Sequence, residues 1–393
     1  MSLEGRRRRR GRVRVAIAAV AIGLVLALVV LAHRYLLERV VFAAPLPPFL
    51  KDVLAAAVVL LSLSVVLQPA SERLFSTRVV RAIAWPAYVW MGALFLLLCT
   101  TLASDALLAL GRLVLPDALS GRDVAGQRAL AVAAIAGAAT VLGVVTALRA
   151  PRVARLELRL ARWPAPLDGY RIVQISDVHI GTLLDRRFAA ALAQRVNALA
   201  PDLVAVTGDL VDGSVARLRD EVEPFGALRA RHGVFFVTGN HDWYSGAVEW
   251  VGHLRGLGFV PLRNERVTIG TDGACFHLAG VDDHRGDWRQ GSPCDVGRAL
   301  GGRDVELPVV LLAHDPTTFA EAALHGVDLQ LSGHTHGGQI WPFRWLVRLA
   351  VPWVEGLHER NGSQLYVSRG TGFWGPPLRL LAPAEITEIV LRA

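Results

Sequence analysis

The sequence predicts an N-terminal bundle of four transmembrane α-helices followed by an α/β domain. Two observations predict it: long uncharged apolar runs confined to the first 150 residues, and, after Arg162, short β-branched runs that end in Asp, His, Asn or Gly. Composition agrees. Of 393 residues, 53% are hydrophobic and only 19% charged, against roughly 45–50% and ~25% in a soluble domain. That balance excludes disorder, and three cysteines (Cys99, Cys275 and Cys294) are too few to staple a chain this long. A net charge of +8 would ordinarily raise nucleic acid as a partner. However, Lys51 is the only lysine among 42 basic residues, which reads as a genomic arginine bias. The second half also lacks a basic and aromatic stripe of the kind that tracks a strand, so no nucleic acid is expected.

The membrane elements come first. Val15 to Ala32, Ala82 to Ala103 and Ala129 to Leu148 each run 18 residues or more without a charge, long enough to cross ~30 Å of hydrocarbon as helices. Val53 to Leu67 is a fourth run, but its 15 residues reach only about 22 Å at ~1.5 Å per residue. It spans only by thinning the bilayer or borrowing its flanks, and the alternative for all four is a buried core helix. The arginine block from Arg6 to Arg14 fits a cytoplasmic flank. A cleaved signal peptide is the other reading of that block, but Ala32-His33-Arg34 is a poor cleavage site. With four spans and the N-terminus inside, the inside segments hold 15 Lys and Arg and the outside loops 6, which puts the second half in the cytoplasm. No ionisable residue lies within the four runs, so residues 1–150 read as an anchor in the bilayer rather than an ion path. Residues 151–169 read as a linker, and 170–393 as the chemical domain.

In that domain, Arg171 to Ser176 reads as a strand ending at Asp177-Val178-His179, followed by a helix over Phe188 to Leu199. Leu203 to Thr207 is a second strand, ending at Gly208-Asp209, and Gly233 to Thr238 a third, ending at Gly239-Asn240-His241-Asp242. Val309 to Ala313 ends at His314, and Val327 to Ser332 at Gly333-His334-Thr335-His336. Any one of these has a bland explanation as a helix cap or a turn. Five strands that each deliver metal-competent side chains at the carboxyl end, where open α/β sheets place ligands, do not. Mixed carboxylate, amide and imidazole donors without cysteine suit Mn, Fe or Zn. Seven donors exceed what one ion needs, so two divalent ions are expected. Such a pair, ~3.5–4 Å apart, can bind a hydroxide, polarise a phosphoryl oxygen and stabilise the leaving oxygen.

These blocks, in this order, resemble the calcineurin-like metallophosphoesterase superfamily over roughly Tyr170 to Arg392. The extended HTHGGQ run from His334 to Gln339 and the late Ser368-Arg369-Gly370-Thr371-Gly372-Phe373-Trp374-Gly375-Pro376-Pro377 look like its membrane-associated bacterial branch. The resemblance implies a four-layer α-β-β-α sandwich. It implies one metal held by Asp177, His179, Asp209 and His336, and a second held by Asp209, Asn240, His314 and His334. His241 would then protonate the leaving group, oriented by Asp242; the alternative is His241 as a third ligand from its loop.

Asp212 reads as a supporting or loop-capping group, and Asp282, Asp283 and His284 as a solvated loop at the rim of the site. Arg369 reads either as a phosphate contact or as half of a structural salt bridge. Together these point to a membrane-anchored binuclear phosphoesterase cleaving a phosphomonoester or phosphodiester, with a catalytically silent protein that binds a phosphorylated ligand as the alternative. Fold and metals do not choose the substrate. One segment bears on it: Ile340 to Val354 carries Trp341, Phe343, Trp345 and Trp353 among aliphatics and two arginines, as a surface dipping into the headgroup layer would. On that reading the substrate is a phospholipid or lipid-linked phosphate; the alternative is ordinary packing against the sandwich.

Overall fold

The computed structural model describes residues 20, 23, 24, 27–75, 77–115, 121–271, 274–284, 286 and 293–393. Among them, three helices, not four, are long and apolar enough to cross a membrane: α1 (Pro48–Leu74), α2 (Thr77–Arg112) and α3 (Arg122–Leu148). The expected run Val15 to Ala32 lies largely outside the described residues. The weak second run falls within α1, whose 27 residues span about 40 Å. The helix borrows its flanks, as the short run required.

By internal contacts the chain forms two units, one of Met1–Val66 with Ala93–Thr140 and the other of Leu67–Gly92 with Val141–Ala393. In the first, Asp105 stands two residues beyond the uncharged run of α2. It accepts hydrogen bonds from Tyr35 (2.6 Å) and Arg128 and pairs with Arg39 at 3.3 Å. A carboxylate this close to hydrocarbon needs such partners.

The second unit carries two six-stranded mixed sheets. One is built from β1 (Arg152–Arg159), β2 (Tyr170–Ile175), β3 (Leu203–Thr207), β4 (Val234–Val237), β5 (Phe259–Pro261) and β12 (Glu385–Arg392), in the order β1-β12-β2-β3-β4-β5. The other contains β6 (Glu265–Thr271), β7 (Ala274–Gly280), β8 (Val309–Leu312), β9 (Leu329–Ser332), β10 (Gly356–Arg360) and β11 (Ser363–Val367), in the order β10-β11-β9-β8-β7-β6. The stretch expected as a linker contributes β1, which pairs in parallel with β12 at the sheet edge.

The strands β2, β3, β4, β8 and β9 are buried at every position but Arg171 because both faces are covered, and β4 and β8 are wholly apolar. Between the sheets, Ile172, Leu203 and Phe235 meet Phe276, Leu278, Val310 and Leu331 in one buried cluster. On the outer face of the first sheet, Val173, Val206 and Phe236 pack under Leu192 of α4 (Arg186–Asn197), Leu218 of α5 (Val215–Val222) and Trp250. On the outer face of the second, Val309 and Leu311 pack with Val296, Leu300 and Ala322. The order of layers is helix, sheet, sheet, helix. It sets β2, β3 and β4 parallel in one sheet and β8 and β9 parallel in the other, so all five chemistry-bearing strand ends gather on one side.

Phe276 is fully buried and meets Trp163 and Tyr170 at ring distances of 4.9 and 5.3 Å. Phe276→Ala should destabilise the full chain in detergent by about 3–5 kcal/mol, and Val260→Ala, at the exposed edge, by well under about 1. Thermal midpoints of the two variants test whether the layer between the sheets is the core.

Candidate metal centre

The loops that follow β2 and β3 continue the ladder beyond the sheet. Asp177 and His179 donate their N–H groups to Gly208 and Asp209 carbonyls at 3.0 and 3.1 Å, and Ile180 donates to Leu210 at 2.9 Å. This register fixes Asp177, His179 and Asp209 on adjacent strand ends. Five of the seven expected ligands, Asp177, His179, Asp209, His334 and His336, have positive φ between 51° and 73°. Left-handed backbone costs a non-glycine residue of order 1–3 kcal/mol and persists where the surroundings overdetermine it. Here it turns five side chains inward. Two glycines make the approach possible. Gly208 has φ +85°, and a Cβ there would lie 2.7 Å from His314 Nδ1; at Gly333 a Cβ would collide with Ser176 Oγ and Asp177 Oδ2.

The side chains converge in two groups. Asp177, His179 and His336 bring one donor atom each within 4.8 Å of one another, and Asp209, His314 and His334 do the same. Asp209 Oδ2 stands between the groups, 3.2 Å from His314 Nε2 and 3.8 Å from His179 Nε2. The facing imidazole nitrogens of His179 and His336 are 3.1 Å apart, and those of His334 and His314 are 3.2 Å apart.

The tautomers are set from behind. His314 Nδ1 donates to the Thr207 carbonyl at 2.9 Å and His179 Nδ1 to Asp212 Oδ1 at 3.0 Å, which turns each Nε2 toward the cluster. Oδ1 of Asn240 is buried without a hydrogen-bond partner among the described residues. An orphaned amide oxygen costs ~1–3 kcal/mol unless something binds it. A cation is the partner this donor set suits. The electrostatics agree. Burial alone would favour neutral imidazoles, but the carboxylates of Asp212, Asp209 and Asp177 push His179 up to about 9, and Asp209 raises His314 well above its ordinary value. His336, held low by burial, His179 and Arg379, keeps its lone pair. The cluster thus draws positive charge and offers neutral nitrogen together, as a metal site does.

The expected pairing of His241 with Asp242 is not formed. His241 Nδ1 donates instead to Asp212 Oδ1 at 2.8 Å, the same oxygen that receives His179. Burial opposes the charge of Asp212, but His179 and His241 outweigh it and hold the carboxyl at about 2. Asp242 is turned the other way on the short helix α6 (Asn240–Tyr244). Its oxygens accept from the backbone N–H groups of Asp209, Leu210, Val211 and Gly239 at 2.8 to 3.3 Å, so it clamps the turn that carries Asp209. Burial, then the charge of Asp209, pushes Asp242 up to about 7.

Asp282 and Asp283 are buried rather than solvated: Asp282 pairs with Arg263 at 3.0 Å and accepts from Thr238 at 3.0 Å. Arg369 is engaged by Glu355 at 2.6 Å and Glu385 at 3.6 Å, the structural alternative of its two readings. Trp353 turns inward against Phe319.

One residue at the centre had no signal in the sequence. Arg379 is fully buried and donates to the carbonyls of His336, Arg369, Gly372 and Ala382. It ties the His336 turn to the 369–372 loop. Only the folded loops reveal why an arginine between two leucines is needed.

Comparison with known proteins bears on this geometry. Residues 170–338 match the family model described as calcineurin-like phosphoesterase. A transmembrane protein with metallophosphoesterase domain from Danio rerio is 38% identical over 263 residues, covering 64% of this chain and 60% of that protein. An uncharacterized metallophosphoesterase of Helicobacter pylori is 40% identical over 223 residues, covering 56% of this chain and 59% of its own. Another, from Aquifex aeolicus, is 35% identical over 227 residues, which are 56% of this chain and 85% of that protein. The chain thus spans about 60% of the length of the first two relatives. The zebrafish protein also corrects the expectation of a bacterial branch, since the likeness reaches vertebrates.

Asp209→Asn should release most of the bound metal from both groups at once, whereas Asn240→Ala should release no more than about half, because Asn240 faces one group only. Metal per folded chain, by plasma mass spectrometry, distinguishes them. A full complement on Asp209→Asn contradicts a shared carboxylate.

Proposed function

The chain belongs to the calcineurin-like metallophosphoesterase family, and from that premise we propose that it is a membrane-anchored hydrolase of phosphoric esters. The observation that carries the reading is the pair of adjacent donor groups, with Asp209 Oδ2 3.2 Å from His314 of its own group and 3.8 Å from His179 of the other, and the His241 and Asp212 pair beside them. Asp177, His179, Asp209 and His336 would hold one divalent ion, and Asp209, Asn240, His314 and His334 the other, with Mn, Fe or Zn suited to the donors. When bound, such ions supply Lewis acidity toward a phosphoryl oxygen and lower the pKa of water.

The chain's own residues do the rest. Asp212 accepts the Nδ1 proton of His241 and so fixes its tautomer, leaving Nε2 to carry the proton given to the leaving oxygen. By gripping His179 with the same oxygen, Asp212 also holds the acid at a fixed place beside the first donor group. Asp242 keeps the Asp209 turn rigid through its four backbone contacts, a positioning role rather than a proton-carrying one.

The ester is read as lipid or lipid-linked. Tyr244 and Trp374 flank the His241 ring at 5.4 and 5.3 Å, and both are more than half exposed. The acid is therefore walled by two bare aromatic faces where the leaving group would stand, which suits an apolar rather than a charged alcohol. Counted with Val15 to Ala32 as a fourth span beside α1, α2 and α3, the charge asymmetry of the flanks supports a cytoplasmic catalytic unit.

The role of His241 is tested by leaving-group dependence. His241→Ala should retain its metal and lose about 10²–10⁴ in kcat on an alkyl phosphate, with a far smaller loss on a p-nitrophenyl ester, whose leaving group needs no proton. Asp212→Asn should follow the same pattern. Equal losses on both esters would contradict His241 as the acid.

A further inference from the structure

The catalytic unit exposes a band of large apolar side chains on two neighbouring segments. The first is Trp341, Phe343 and the helix α10 (Arg344–Ala350), where Trp345 and Leu346 are more than half exposed and Leu349 is 85% exposed. The second is the loop from Trp374 to Leu381, whose ends are 53% and 72% exposed. The two are laced together: Trp341 N–H donates to the Leu380 carbonyl at 3.1 Å, and the Gln339 amide holds Trp374 N–H at 3.0 Å, the Trp374 carbonyl at 2.9 Å and the Pro376 carbonyl at 3.1 Å.

What covers this band is indicated by the residue at its centre. Leu378, in the middle of the second segment, is fully buried because it packs against Gly92 of α2 and Gly143 of α3, where a Cβ would lie 3.0 and 3.3 Å from its side chain. Arg379 N–H donates to the Gly143 carbonyl at 2.9 Å. Gly143 lies six residues inside α3 from Arg149, and Gly92 eleven residues inside α2 from Arg81. At ~1.5 Å per residue those are depths of about 9 and 16 Å past the last charge of each span. At the same level α3 presents Val141, Leu142 and Val145, all exposed. A bilayer that covers these three also reaches the level of Leu378. Arg348, on α10, pairs with no carboxylate among the described residues, as suits an anionic headgroup layer.

We infer that Trp341 to Leu349 and Trp374 to Leu381 form a membrane-penetrating face, seated in the interfacial layer of the bilayer that α2 and α3 cross. The inference stands on the contacts of Leu378 and not on the phosphoesterase reading. Where both hold, the His241 acid, whose wall includes Trp374, opens at headgroup level.

The test uses the full chain with Cys99, Cys275 and Cys294 changed to Ser, reconstituted in vesicles containing anionic phospholipid. A polarity-sensitive fluorophore is attached at Leu349→Cys, Leu381→Cys or, as a control near the amino end of β8, Val305→Cys, which is 60% exposed. Acyl-chain-brominated lipid should quench the labels at 349 and 381 at least about twofold more than the label at 305, as for side chains ~5–10 Å into the boundary layer. Aqueous iodide should show the reverse order. Equal iodide quenching at all three sites, in chains that elute as the parent does, overturns the proposal. So does protection of 349 and 381 from both quenchers, which would mean that a second copy or another protein covers the band.

Discussion

Burying carboxylates beside one another is the constraint on which this structure turns. Asp177, Asp209 and Asp242 are each at most 2% exposed and close together in space. Unpaired buried charge is prohibitive, so each must be met by hydrogen bonds or positive charge. Asp177 accepts the backbone N–H of His334 on both oxygens and Asp209 that of His241, while Asp242 takes four backbone donors of its own. Backbone amides alone do not balance the charge. The imidazoles of His179 and His314 are drawn toward the charged form, and the donor geometry offers a cation the same place. The left-handed backbone at Asp177, His179, Asp209, His334 and His336 and the glycines at 208 and 333 are consequences of bringing strand ends from two sheets to this point.

The same loops serve the membrane-facing side. Arg379 binds the His336 turn through its side chain and the Gly143 carbonyl through its N–H, so one residue joins the back of the donor cluster to the end of α3. Arg81, on α2, pairs with Asp185 at 3.0 Å and donates to the Thr182 carbonyl, in the loop that leaves His179. These ends of α2 and α3 are packed into the unit that carries the donor groups.

The parts of the fold legible from sequence were those whose physics is local. Parallel strands covered on both faces read as apolar runs, which makes β3, β4 and β8 visible, whereas β2 and β9 carry Gln174 and Gln330 and are legible from the Asp and His motifs at their ends. The edge strand β1 is hidden in the stretch that reads as linker, because Arg152–Arg159 carries four charged residues and its pairing partner, β12, lies more than 200 residues away in the chain. At the site the donor residues were legible as strand-end motifs. Their partners were not. Asp242 follows His241 directly, which suggests a pair, yet consecutive residues on a helical turn point about 100° apart and cannot face each other. Asp212 meets His241 across a gap of 29 residues, and no periodicity announces such a contact. The aromatic run from Ile340 to Val354 was legible as a whole but not in its division: Trp345 and Leu349 face outward, while Val351, Trp353 and Val354 close the core.

The central claim is one carboxylate shared by two donor groups, with the acid outside both. Anomalous diffraction from crystals of the full chain grown with manganese tests it most directly. The account predicts two peaks per chain, one enclosed by Asp177, His179, Asp209 and His336 and the other by Asp209, Asn240, His314 and His334. A single peak, or a metal seated among His179, Asp212 and His241, where donor atoms also lie within 4.8 Å, would contradict it.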